Sequence, residues 1–154
     1  MTGRDLKLVE HAGFVVSTDR AALDVALIHK YLSEDSYWAK HIPLDIVLKS
    51  LDHSLCFGGY LDGQQVAFGR VVSDYATFAY MADVFVVKAH RGKGYSKALV
   101  SAMKAHPELQ GLRRFFLATL DAHGLYAEFG FQPVLRPDRL MEITVTDVYT
   151  RETK

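Results

Sequence analysis

The stretch from Ala79 to His106 constrains this chain most, because its hydrophobic period changes partway along. Residues 79–87 are apolar at nearly every position around a lone Asp83, the pattern of a strand covered on both faces and central in its sheet. Ala98, Leu99, Ala102 and Met103 then recur at helical spacing as far as Pro107, which predicts a helix over 92–106. Between the two lies Arg91-Gly92-Lys93-Gly94-Tyr95-Ser96. Glycine at 92 and 94 lets backbone N–H groups turn inward with no Cβ in the way, and a helix start adds unpaired N–H groups and a partial positive charge. A strand handing over to a helix through such a turn makes an anion site, to which Arg91, Lys93 and Lys97 add charge.

The flanking segments set the fold class. A strand is predicted over Leu6–Val16, then a helix capped by Thr18 or Asp19 and running to about Leu32. A loop follows over Ser33–His41, and Pro43 opens a second short helix. Strands over 54–61 and 65–73 flank Asp62-Gly63, a hairpin dipeptide. Beyond the 92–106 helix the pattern predicts a strand at 114–119 and a helix at 122–129 stopped by Gly130. A short strand near 131–135 and a final strand at 140–148 complete it. Antiparallel hairpins leading into a β-α-β unit predict an α/β fold with a mixed, mostly antiparallel central sheet flanked by helices. No repeat or Gly/Pro/Ser-rich linker divides the 154 residues, so residues 1–154 are expected to form one domain.

Charge and composition remove several functions. Lys plus Arg and Asp plus Glu both number 18, and zero net charge argues against nucleic acid or an anionic membrane as partner. No run reaches the roughly 18 apolar residues of a membrane span. Met1–Asp5 lacks the apolar core of a signal peptide, so a cytoplasmic location is expected. Cys56 is the only cysteine and sits in an apolar run, so it reads as a buried, inert thiol without an internal disulfide. The seven histidines include no pair three or four residues apart, which leaves no metal site. At the glycine turn, Lys93 is followed by Gly94 rather than Ser or Thr, so the P-loop pattern fails. The dinucleotide fingerprint needs a third glycine where Lys97 stands, and fails as well.

Arg91–Ser96 resembles the acetyl-CoA signature of the GCN5-related N-acetyltransferases, Arg/Gln-x-x-Gly-x-Gly/Ala, with Ser96 as its one departure. Leu125-Tyr126-Ala127-Glu128-Phe129-Gly130-Phe131 is similar to that family's second hallmark, and the two motifs follow in the family's order and spacing. The resemblance implies that Arg91, Gly92, Lys93, Gly94, Tyr95 and Ser96 hold the cofactor's pyrophosphate. It also implies that the Val84-Phe85-Val86 backbone pairs with its pantetheine arm, and that Thr119 replaces an asparagine that often contacts the cofactor. Acetyl-CoA would be a co-substrate, Tyr126 the acid that protonates the departing thiolate, and the acceptor a primary amine of a small molecule.

The base is read from chemistry. Asp83, alone in its apolar strand, is a candidate that partial desolvation would strengthen; its other reading is a carboxylate paired with a neighbour. Asp74 is a second candidate and water a third. Glu34, Tyr37, Trp38, Tyr80 and His123, with Asp74, are candidates for the acceptor site, against the plainer reading of loop-anchoring or surface residues. Two alternatives of other kinds stand beside this enzyme: an acyl-CoA-binding sensor without transfer, and a protein-lysine acetyltransferase. A homodimer is expected as a further assembly, since dimers are common in the family.

Overall fold

In a computed structural model that describes residues 7–11 and 13–151, the chain opens as a hairpin rather than one long strand. Strand β1 (Lys7–His11) turns at Gly13 into β2 (Phe14–Ser17), with His11 opposite Phe14. The apolar content of 6–16 masked this turn, because both arms are strand-like. The start expected at Leu6 lies outside the described residues.

The single helix expected over 18–32 is broken into three pieces by two successive caps. Asp19 accepts from the Ala21 N–H and starts a 3-10 turn at Arg20–Ala22, and Asp24 accepts from the Leu27 N–H to begin α1 (Val25–Lys30). The chain then widens into a π-turn over Tyr31–Asp35, where the Ser33 and Ser36 hydroxyls donate to the His29 and Leu32 carbonyls. Pro43 does precede the next helix, α2 (Leu44–Asp52).

The central meander forms close to expectation. Strand β3 (Leu55–Leu61) reverses at Asp62-Gly63, whose φ angles of 48° and 79° match a two-residue hairpin, and returns as β4 (Gln64–Ser73). Next comes β5 (Phe78–Val86), then α3 (Tyr95–Ala105), β6 (Arg114–Leu117) and α4 (His123–Ala127). The six strands lie in sequence order, antiparallel except for the parallel β5–β6 pair. A mixed, mostly antiparallel sheet flanked by helices is therefore the observed architecture.

Each face of the sheet buries its own cluster. Ile28 of α1, Leu32 of the π-turn, and Val47 and Leu51 of α2 close over Cys56, Phe68 and Phe85. On the other face Leu99, Val100, Ala102 and Met103 of α3 close over Phe14, Val16, Phe57 and Val71. Each large aliphatic or aromatic side chain among them contributes about 1.5–3 kcal/mol when fully buried. The start of α3 is registered by a stack: the Phe14 ring lies against Gly59, where a Cβ would strike it, and Tyr95 stacks on Phe14 at 4.6 Å. Cys56 is buried and free, and burial pushes its thiol up to about 12. No helix among the described residues is long and apolar enough to cross a membrane.

The expected strands at 131–135 and 140–148 do not form. Neither segment pairs with a described strand, residues 146–150 form a turn, and Met141 and Ile143 are each 99% exposed.

Candidate active site

The site arises from a fault in the sheet. Phe68 of β4 faces Phe85, yet Arg70 faces Ala82, so two residues of β5, Asp83 and Val84, share the space opposite Gly69. This bulge puts Asp83 at φ 56°, a conformation L-residues rarely adopt and one that marks functional positions. On its other side β5 stays paired with β6 only as far as Met81 opposite Leu117. Beyond that point the two parallel strands part. The wedge between residues 82–84 and 118–122 opens into a cavity of about 650 Å³, walled further by Tyr37, Trp38, Ile46, Ser50, Arg70, Tyr80, Tyr126 and Tyr149.

A polar network crosses the cavity wall. The Arg70 Nε–H donates to Asp83 Oδ2 at 2.6 Å, and the Trp38 indole N–H donates to Asp83 Oδ1 at 2.7 Å. A second Arg70 nitrogen donates to the Ser54 hydroxyl, which donates to the Ser50 carbonyl. The side chains of Arg70 and Asp83 are only 19% and 10% exposed, so each charge depends on the other for stabilisation. Asp83 is thus the paired carboxylate of its plainer reading, while still bordering the cavity.

Tyr126 occupies the opposite wall. Just before its helix, the Thr119 hydroxyl accepts from the N–H of Ala122, the residue that precedes α4. Burial, with lesser effects from Tyr37 and Asp121, pushes the Tyr126 phenol up to about 12, so it keeps its proton throughout the neutral range. Tyr37 reaches across from the π-turn side and accepts from the Leu120 N–H, tying the two walls together.

The glycine turn lies at the exit of β5. Gly92 and Gly94 have φ of 79° and 85°, and Gly94 caps α3 from the left-handed region. The N–H groups of Gly92 through Lys97 donate to no described acceptor; the first helical bond runs from the Ala98 N–H to the Gly94 carbonyl. A Cβ built at Gly92 meets nothing within 4 Å, so the turn faces open space. Six free donors at a helix start, beside Lys93 and Lys97, suit a polyphosphate. Arg91 also latches the turn, donating from Nε to the Val86 carbonyl and from a terminal nitrogen to the Tyr31 hydroxyl.

Comparison with known proteins agrees with this geometry. Residues 25–131 match the acetyltransferase (GNAT) family. The chain belongs to the GNAT family. A Gibberella zeae protein assigned as an acetyltransferase is 32% identical over 137 residues, which span 75% of this chain and 76% of that one. A crystal structure assigned to the GNAT family from Xanthomonas campestris pv. campestris superposes with a TM-score of 0.88 at 62% identity, over 93% of this chain and 99% of that one. One from Deinococcus radiodurans R1 shares the fold at 17% identity and a TM-score of 0.69, over 97% and 100% of the two chains.

Of the residues expected in this GNAT site, Asp83, Val84, Thr119, Tyr126, Tyr37, Trp38 and Tyr80 meet at the one cavity. Phe85 does not: it is buried on the helical face, stacked on Tyr31 at 3.9 Å, so only its backbone could face a cofactor. Tyr95 likewise gives its ring to the core and Val86 is buried. Asp74 lies outside the cavity wall and holds the β4–β5 turn, accepting from the Ala76, Thr77 and Phe78 N–H groups and the Thr77 hydroxyl. Glu34 is exposed away from the wall, and His123 borders an adjoining cavity that shares Ala118, Thr119 and Tyr126 with the larger one. Sequence reasoning missed Arg70, Ser50, Ile46 and Tyr149. Only Arg70 left a signal, a lone cation in an apolar strand one hairpin away from a lone carboxylate.

Proposed function

We propose that this acetyltransferase moves the acetyl group of acetyl-CoA onto a primary amine of a small, amino-acid-like or polyamine-like molecule. The observation that carries the reading is the parting of β5 and β6 beside Asp83, which leaves a cavity with a protonated phenol on one wall and an ion pair on another. The N–H groups of 92–97 and the side chains of Lys93 and Lys97 would hold the pyrophosphate. The bulged β5 edge at Asp83-Val84, unpaired toward β6, offers backbone groups to an extended amide-bearing arm.

In the transfer, the amine nitrogen bonds to the thioester carbon and the carbon–sulfur bond breaks. The Tyr126 hydroxyl gives its proton to the leaving sulfur, and solvent later restores it. The amine must first shed a proton. Asp83 already receives an N–H on each oxygen, so we assign it to drawing the cationic amine to the cavity wall while water carries the proton away. Trp38, Tyr37 and Tyr80 give that wall an aromatic lining suited to a cation.

The reading is tested by supplying purified protein with acetyl-CoA and a panel of amines and following free thiol. Release stimulated by a small amine, with the acetylated amine found by mass, is the expected result. Release that no small amine stimulates would favour a sensor, and stimulation only by lysine-bearing proteins would favour a protein acetyltransferase.

A further inference from the structure

Arg70 is the only charged residue of β4, and stability does not explain its pairing with Asp83. Two largely buried charges give up hydration, and apolar residues of similar volume in their place are often as stable or more so. The pair also leaves part of its hydrogen-bonding capacity unspent. Of the five guanidinium N–H donors, the one on Nε serves Asp83 and one on Nη1 serves Ser54. Nη2 donates to no acceptor among the described residues and is not buried, on a side chain that borders the cavity. Asp83 accepts one N–H on each oxygen, about half of what a carboxylate can take.

A cation and an anion with spare capacity therefore stand 2.6 Å apart on one wall. A ligand that engages both must carry opposite charges on neighbouring atoms, as the ammonium and carboxylate of an α-amino acid do. A polyamine brings cations alone, and Arg70, the one cation among the described cavity-lining residues, repels them. The same cavity carries apolar surface: Trp38 and Ile46 are 41% and 39% exposed, and Ile42 and Tyr149 border it too. A large apolar side chain laid there takes that surface out of water. We infer that the acceptor is an α-amino acid with a large apolar side chain, its carboxylate held by Arg70 and its ammonium drawn by Asp83. The inference rests on the acetyl transfer proposed above and narrows its acceptor to one class. The step is unchanged. The α-nitrogen bonds to the thioester carbon, the carbon–sulfur bond breaks, water carries off the amine proton and the sulfur takes the Tyr126 proton. Arg70 sets which amines are chosen, through a group that does not react.

The test uses the full wild-type chain, acetyl-CoA and matched acceptors, with kcat/KM read from free thiol and the product identified by mass. L-leucine and L-phenylalanine are set against their amides, their decarboxylated amines and spermidine. The amides shed the ammonium proton more readily than the free acids, so a preference for the acid reports carboxylate binding rather than basicity. The free acids should exceed every comparator by about tenfold or more, with the acetyl group on the α-nitrogen. A smaller preference, or the reverse, overturns the inference and leaves transfer to small amines standing; no acetylation of any small amine overturns both. L-serine and L-glutamate, which cannot cover the apolar surface, should trail L-leucine by about tenfold, and parity would overturn the side-chain class. Arg70→Lys keeps the charge and loses the planar fork, so KM for L-leucine should rise about tenfold or more while that for leucinamide stays within about twofold. An equal rise for both would make Arg70 only a support for Asp83 and overturn its role. The wild-type panel decides the question even where Arg70→Lys fails to fold.

Discussion

The glycine turn and the cavity sit at opposite ends of the same short run of β5, and they are built by different means. The turn is backbone: its chemistry comes from N–H groups between Gly92 and Lys97, set by two left-handed glycines within a few residues of sequence. The cavity is side chain: Trp38, Arg70, Asp83 and Tyr126 come from four separate elements and meet only because β5 bulges and parts from β6. A site made of consecutive backbone tolerates changes in its side chains but not in its φ angles. A site made of converging side chains tolerates backbone drift poorly and depends on each partner.

The largest expected effect is at the cavity. Tyr126→Phe should lower kcat by about tenfold or more with acetyl-CoA affinity nearly unchanged, because only the transition state needs the proton. Unchanged kcat would remove Tyr126 as the acid. The pH profile sharpens this. The fold favours the neutral phenol, so the donor is intact below the ordinary tyrosine value of about 10 and is lost as pH rises through about 12. Wild-type kcat should therefore show no decline from loss of this acid across the neutral and mildly alkaline range. The same sign holds for stability: the contribution of Tyr126 is complete below about pH 10 and fades toward about 12, a loss that Tyr126→Phe should remove from alkaline unfolding curves.

At the turn, Gly94→Val should weaken acetyl-CoA binding by about tenfold or more, since a β-branched residue at φ 85° costs roughly 1–2 kcal/mol and tilts the start of α3. Calorimetry against coenzyme A measures it directly. Removing side-chain charge in the same turn, by Lys93→Ala, should cost less than the backbone change. A larger loss for Lys93→Ala than for Gly94→Val would reverse the comparison. Asp83→Asn ranks below these. It leaves Arg70 buried beside a neutral amide, so the acceptor KM should rise several-fold while cofactor affinity holds. Trp38 is the only tryptophan, so its emission should shift as the indole loses its charged acceptor. An unmoved emission would show that the network does not depend on the charge.

The same contrast explains what the sequence disclosed. The meander, the Asp62-Gly63 hairpin, the glycine turn and the helix after it were legible, because each depends on residues within a few positions of one another. The break of the first helix was not, since Asp19 and Asp24 are both acceptable caps and only packing makes both act. The Arg70–Asp83 pair required the β4–β5 register, which a bulge shifts by one residue. Residues 140–148 read as a strand by pattern, yet they pair with no described strand and their end lies in a turn; a periodic pattern reports the wish to be half-buried, not whether a partner strand lies alongside.

The smallest expected effect discriminates between the two carboxylates. Asp74 was as eligible as Asp83 by residue type, yet it spends its oxygens on the Ser73–Phe78 turn, and hydrogen bonds from Thr77, Ala76 and Phe78 hold its carboxyl well below the usual carboxylate range. A group held low in this way stabilises the folded chain above its ordinary value of about 3.9, and the stabilisation fades as pH falls through the lowered one. Asp74→Ala should therefore leave kcat within about twofold while lowering Tm slightly at neutral pH, with the difference from wild type shrinking in acid. Since Asp74 is fully exposed, water and salt screen its charge, and the loss should be that of the turn's hydrogen bonds rather than of an ion pair. A large fall in kcat with Tm unchanged would instead make Asp74 part of the chemistry, and would move the acceptor amine from the bulge at Asp83 toward the β4–β5 turn.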